Sequence, residues 1–178
     1  MFNSAHGRVA QELLKDAQEY AVLAIGLGGI GGRPGKDGLA CMAFPSGIGG
    51  IPIEIIEGQC PLWFKEKQFL PNSGGDGEWR GGLSQRFEIR NREATPFTIS
   101  AATFDRIKNA ARGRDGGKAG ALGVARLASG AHLPDKGIHL VPAGDALIVE
   151  MPGGGGWGDP AKRKPELRAA DKKAGVVT

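Results

Sequence analysis

Histidine, cysteine and aromatic residues are all scarce in this 178-residue chain, and each shortage removes a class of function. The three histidines, His6, His132 and His139, form no HExxH pattern, no helical pair and no cluster with cysteine, so no histidine-based metal centre is encoded. His139 alternates with Ile138 and Leu140 and reads as a satisfied strand histidine. Cys41 and Cys60 sit in no zinc or CxxC spacing; both stand among apolar residues, as buried thiols in a reducing compartment do. Aromatics at 6% leave no stacking platform among the basic residues, so no nucleic-acid partner is expected despite a net charge of +4. Long apolar runs are missing too. Runs such as Ala21–Ile25 and Leu39–Phe44 fall far short of the ~20 residues that span a bilayer, and Met1–Asp16 lacks the apolar core of a signal peptide. A cytoplasmic chain with no membrane partner is expected.

Glycine is what the chain has in excess, 31 of 178 residues, against ~7% in ordinary proteins. No G-X-Y period accompanies it, and 40% apolar residues are too many for a disordered chain. A folded, turn-rich domain follows. The division expected is an N-terminal helical segment, 1–21, and a glycine-rich β domain, 22–178, that ends in a helix.

Residues from Asn3 or Ser4 to Tyr20 carry a capping residue and apolar positions at helical spacing, which predicts a helix. Strands are predicted at Ala21–Ile25 (the alternative being the end of the preceding helix), Leu39–Phe44, Ile51–Glu57, Arg86–Arg90, Pro96–Phe104, Val124–Leu127, Gly137–Val141 and Asp145–Met151. On a strand, Glu54 and Glu57 would face opposite ways, and Trp63 and Phe64 read as core. Asp159-Pro160 or Lys164-Pro165 suits the start of a last helix, with Leu167, Ala170 and Ala174 as its apolar stripe and Gly175 as its stop. Short strands bounded by Gly or Pro predict a mainly β fold, antiparallel and sandwich- or barrel-like, with helices at the N- and C-termini (α+β if the helices are counted).

Between these elements lie the glycine segments. Asn72–Leu83 places five glycines, Trp79, Arg80, Asp76 and Glu78 in a dozen positions, and reads as a shaped loop between two packed elements. Gly26–Gly31 spells G-x-G-x-x-G, but Gly32-Arg33-Pro34-Gly35 follows where a dinucleotide site needs a helix. A tight turn under a close backbone approach is the better reading. Gly153, Gly155 and Gly158 repeat the spacing, without the second parallel strand of a βαβ unit. Gly117-Lys118 fails as a phosphate loop, because Arg112 and Ala119 stand where glycine and a hydroxyl are required. Ser73 precedes two glycines without an assignable Asp–His pair. Basic residues concentrate mildly at Arg106–Lys118 and Lys162–Lys173.

In order, Gly31-Gly32, Asp37-Gly38, Pro52–Glu57 with Pro61, Ser73-Gly74-Gly75, Arg80-Gly81-Gly82-Leu83, Ala143-Gly144-Asp145 and Pro152–Pro160 resemble the hydantoinase B/oxoprolinase family over about Gly26–Thr178. The resemblance implies the C-terminal part of a B-type subunit of an ATP-dependent enzyme that opens cyclic amides such as hydantoins and 5-oxoproline. Relatives serve in acetone and acetophenone carboxylases. It implies as partners an A-type, ATP-handling subunit of actin/sugar-kinase-like fold and the N-terminal part of the B-type subunit. ATP and a divalent metal would belong to the complete enzyme, with neither bound by this chain, and the isolated chain would not be active. The family's metal motifs precede the matched part, so no metal ligand is carried over. Asn72 departs from the family's aspartate before Ser-Gly-Gly, and Ser84 from its common glycine.

The expected role is to shape a subunit interface or a substrate cavity; catalytic residues are not identified. Candidate substrate or interface residues are Ser73, Asp76, Glu78, Arg80, Gly153, Gly155, Trp157 and Asp159. Arg80 leads them, because a guanidinium can grip a carboxylate or phosphate with two bonds; the alternative is that Arg80 ties down its own loop. The competing reading of the chain is a non-catalytic assembly module or a truncated remnant of such an enzyme.

Overall fold

The computed structural model describes residues 21–22, 24–43, 47–101, 104 and 106–178. The helix expected from Asn3 or Ser4 to Tyr20 lies outside the described residues.

Among the described residues, six strands form two antiparallel sheets: β1 (Leu62–Leu70), β2 (Ser84–Asn91), β3 (Phe97–Ala101), β4 (Val124–Leu127), β5 (Gly137–Val141) and β6 (Ala146–Glu150). The larger sheet runs in the order β1-β2-β6-β4, and β3 pairs with β5 in the smaller one. Their apolar faces share one core, with Phe64, Phe87, Ile89, Leu127, Leu147 and Val149 from the larger sheet and Phe97 and Val141 from the smaller. Phe64 meets Phe87 edge to face, 6.5 Å between centroids, the geometry aromatic quadrupoles prefer. The mainly antiparallel β expectation therefore holds in its sandwich-like form; no closed barrel exists among the described residues.

Ile51–Glu57 is not a strand. Pro52, φ −55°, stands just outside a helix α1 (Ile53–Gln59). Ile53, Ile56 and Cys60 recur at helical spacing toward the core, while Ile55 points outward. A short apolar run fits both periods, and here packing selects the helical one. Glu57 is structural: its carboxylate accepts from the Phe64 amide at 2.8 Å and from Arg92 at 2.6 Å.

The described parts of Ala21–Ile25 and Leu39–Phe44 form no strand. Around Cys41, which takes φ +49°, the backbone bonds to the glycine segments, Cys41 donating to Leu83 and Met42 to Gly28. β1 lacks clean alternation because a bulge between Phe64 and Glu66 shifts its register. Only Phe64 of the expected Trp63-Phe64 pair is core; Trp63 is 43% exposed on the other face of the edge strand.

The last helix, α2 (Pro165–Lys173), follows a 3-10 turn at Pro160–Lys162, so both proline starts are used. Gly175, φ +67°, ends it, with Val176 donating back to Asp171. Its expected apolar stripe is wrong, however. Ala170 and Ala174 are exposed, and the residue α2 buries is Asp171.

Candidate functional site: a glycine bundle and its ionic clasp

Four glycine-rich segments, about 26–38, 73–82, 111–121 and 152–158, lie side by side at one end of the β body. They belong to neither sheet. Instead their backbones bond to one another: Gly29 donates to Pro152, Gly32 to Gly155, Gly75 to Gly154, Gly82 to Ile30, Gly154 to Gly82 and Gly156 to Lys118, all between 2.8 and 3.0 Å. Trp79 and Trp157 exchange both backbone bonds, at 3.0 and 2.8 Å. The segments approach so closely that no side chain fits between them. A Cβ on Gly153 would fall inside the Ser73 carbonyl, and one on Gly81 inside that of Gly154. The segment Gly26–Gly31 is therefore a close approach, as expected, although the tight turn lies later, at Arg33–Lys36.

This packing decides the nucleotide question at the three phosphate-like motifs. A phosphate cradle needs free backbone N–H groups at a helix N-terminus. Here the amides of Gly153, Gly154, Gly156, Trp157 and Gly158 are all bonded to carbonyls within the bundle. Those of Gly29, Ile30, Gly117 and Lys118 are likewise engaged. No group of three His, Cys, Asp or Glu side chains fit for a metal ion occurs among the described residues. The described residues therefore do not fit an ATP phosphate at these motifs, nor do they gather a ligand set for a metal ion.

A buried charge network closes the bundle. Arg163, 9% exposed, uses all five guanidinium donors: to both Asp37 oxygens at 2.8 Å, twice to Asp171 at 2.6 and 3.0 Å, and to the Glu78 carbonyl at 3.0 Å. Arg80 adds a 3.0 Å bond from Nε to Asp171 and one from Nη1 to its own neighbour's carbonyl, Gly81. Burial of Asp37 opposes its ionisation. The Arg163 bonds, the Arg163 charge and the Arg80 amide outweigh that and hold its carboxyl below the usual 3.8. Arg163 is held more firmly protonated, first by its bonds to Asp37 and then, against burial, by Asp171.

The expected site residues thus gather in one place, the bundle and its clasp. Ser73, 2% exposed, donates to Leu70 at 2.6 Å and accepts from the Ser84 amide at 2.9 Å, a structural link with no partner base. Gly153 and Gly155 are buried between segments, and Trp157 contributes backbone pairing. Asp159 caps the 3-10 turn through the Ala161 amide. Asp76 is exposed, Glu78 half-buried and packed on Gly158. Arg163 and Asp171 are not singled out by the sequence, and Asp37 enters there only through the motif Asp37-Gly38, not as a site residue. The available signal was Asp171 itself, one of two acids, with Glu166, in the basic stretch Lys162–Lys173.

Asn72 also acquires a physical reason. It takes φ +60°, and its amide exchanges two bonds with Thr178, Nδ2 donating to Oγ1 at 2.7 Å and Oδ1 accepting from the backbone at 3.1 Å. An ionised aspartate has no donor for the first of these. His139, expected to be satisfied, stacks on Phe104, but its Nε2 is buried without a partner among the described residues. Cys60 is buried and donates to Ile56, whereas Cys41 is half-buried, its thiol pushed up to about 12 by burial. Neither thiol is an activated nucleophile.

The model of the hydantoinase B/oxoprolinase family matches residues 2–160. The putative B subunit of a D-/L-hydantoinase from a Pseudomonas species is 31% identical over 158 residues, covering 85% of this chain and 26% of that protein. The beta subunit of the caprolactamase of Pseudomonas jessenii is 29% identical over 177 residues, covering 88% of this chain and 29% of its own length. Among solved structures, the ATP-dependent caprolactamase of Pseudomonas jessenii superposes over 85% of this chain and 28% of its own, with a TM-score of 0.69 and 24% identity. A nucleotide-free acetone carboxylase superposes over 85% of this chain and 25% of its own, with a TM-score of 0.68 and 24% identity. These two superpositions establish a shared fold. The chain spans about a quarter of the length of these B and beta subunits.

Proposed function

The chain belongs to the hydantoinase B/oxoprolinase family, and from that premise we propose that it is the C-terminal domain or a small subunit of an ATP-dependent cyclic-amide hydrolase. Its task is architectural, to hold a rigid surface against the rest of the enzyme. The observation that carries this reading is the bundle itself. The motifs that mark the family, Ser73–Leu83 and Pro152–Pro160, engage one another's backbones and leave no free amide row for a phosphate at Gly153–Gly158. Phosphorylation of the amide oxygen, which makes a stable carbonyl open to attack, then belongs to an A-type subunit of actin/sugar-kinase-like fold. ATP and a divalent metal act in the complete enzyme and not on this chain. Two of the relatives are B or beta subunits, which supports work in a hetero-oligomer.

Arg80 is a positioning residue in this scheme. Its engagement with Asp171 and Gly81 favours the loop-tying role over direct recognition of substrate. Asp76 and Glu78, without side-chain partners among the described residues, are the members of the central loop left to face another subunit.

The test is co-purification with the A-type subunit from the same source, followed by ATP-dependent hydrolysis of hydantoin and 5-oxoproline. The assay is run with and without this chain and the N-terminal part of a B-type protein. A stoichiometric complex that turns over only with this chain present is expected. A well-folded chain that neither joins a complex nor changes turnover overturns the proposal in favour of a non-catalytic remnant.

A further inference from the structure

The arginines among the described residues are engaged to different degrees, Arg126 and Arg168 only through backbone carbonyls. Arg80, Arg86, Arg90, Arg92 and Arg163 are ion-paired. Arg33, Arg112 and Arg114 are exposed and make no side-chain hydrogen bond or ion pair among the described residues. These three sit together at the tip of the glycine bundle. Gly32, beside Arg33, donates to the Gly155 carbonyl at 2.8 Å, and the Arg112 carbonyl packs against Gly155 from another side. The Arg114 amide donates to Gly156 at 2.9 Å, and Gly156 donates to Lys118 at 2.9 Å. Lys36 and Lys118 are exposed as well, so five cations crown the tip against three exposed carboxylates, Asp76, Asp115 and Asp159, of which Asp159 is engaged in capping the 3-10 turn.

We infer that this tip is a docking surface for a carboxylate-rich face of a partner subunit. The inference rests on the reading that the chain works in a hetero-oligomer. Three physical arguments select this occupant. Exposed guanidinium forks match planar carboxylates with paired bonds, and arginine is enriched at protein interfaces. The backbone beneath them is fixed by the bundle, so the array is organised before its partner arrives. The amides of Gly117, Lys118, Gly156 and Gly158 are already bonded internally, so the tip offers no concave row of donors to wrap a phosphate.

The experiment titrates the purified chain with poly-L-glutamate and, separately, with sodium tripolyphosphate, at low and at physiological ionic strength. Binding to poly-L-glutamate that weakens with salt is expected. The double variant Arg112→Glu/Arg114→Glu is expected to bind about tenfold more weakly. Lys172→Glu/Lys173→Glu makes the same charge change on exposed residues of α2 and is expected to bind as the native chain does. Thermal melts establish that both variants fold. Equal losses in the two variants would reduce the effect to net charge and overturn the inference. So would binding of tripolyphosphate without binding of poly-L-glutamate, or no binding of poly-L-glutamate at all. Failure of the native chain to co-purify with an A-type subunit, by contrast, would sink the functional proposal and leave this titration to decide the docking surface alone.

Discussion

The β body and the glycine bundle are held together by opposite means. The body packs Phe64, Phe87, Leu147 and Val149 into an apolar core between two sheets, and its cohesion scales with apolar area removed from water. The bundle has almost no side chains to pack. Its segments adhere through backbone hydrogen bonds made at distances only glycine permits, and an ionic clasp closes it from α2. A core tolerates a missing methylene by partial collapse. A backbone-to-backbone contact has nothing flexible to yield.

That contrast yields its largest test at Gly153. Gly153→Ala puts a methyl group against the Ser73 carbonyl, a backbone atom, and is expected to destabilise by on the order of 4 kcal/mol or more. Phe87→Ala, which empties a large core site, is expected to lose about 3–5 kcal/mol. Urea denaturation of both compares them directly. If the smallest possible addition in the bundle proved nearly neutral while the core truncation did not, the bundle would be looser than described.

Acid should separate the regions next. Asp37 has a folded pKa below its unfolded value of 3.8, so its contribution is fully present above about that pH and is lost as pH falls through the folded pKa. Stability should therefore decline on acidification below pH ~4, with amide exchange in α2 and Arg80–Gly82 rising before exchange in β2 and β6. Glu88, held down first by its bond to Arg90 and then, against burial, by Lys65, adds a weaker dependence to the body. Asp37→Asn should flatten the acid limb at α2. An unchanged slope there would remove Asp37 from the clasp.

The finest test sits where the regions meet. Ser84 begins β2 and is fully buried; its amide donates to Ser73, but its own hydroxyl has no partner among the described residues. Ser84→Ala removes an unsatisfied group while keeping the backbone link, so its effect on the urea midpoint should be neutral or stabilising by up to about 1 kcal/mol. A clear loss of stability would mean that the hydroxyl has a partner after all.

Much of the β body was legible because alternation survives in the linear sequence. Arg86–Arg90, Val124–Leu127, Gly137–Val141 and Asp145–Met151 all fall on strands. β1 was not, since its bulge breaks the period, and α1 reads as a strand because Ile53, Ile55 and Ile56 fit both patterns. The bundle was legible only as composition. Glycine clusters announce close approach but not what approaches, and three of them imitate phosphate motifs in which amides such as those of Gly29, Gly117, Gly154 and Gly156 are bonded within the bundle.

The sequence by itself determined the class of fold, the family, the absence of a histidine metal motif, and which stretches had to come close to other backbone. These depend on local period, composition and residue order, all carried along the chain. Only the tertiary structure decided that Asp37, Arg80, Arg163 and Asp171 form one clasp. Arg163 and Asp37 are 126 positions apart, and a salt bridge across that separation leaves no periodic trace. It also decided which arginines are spent on internal pairs and which stand free, because pairing depends on what the fold brings within reach of each guanidinium.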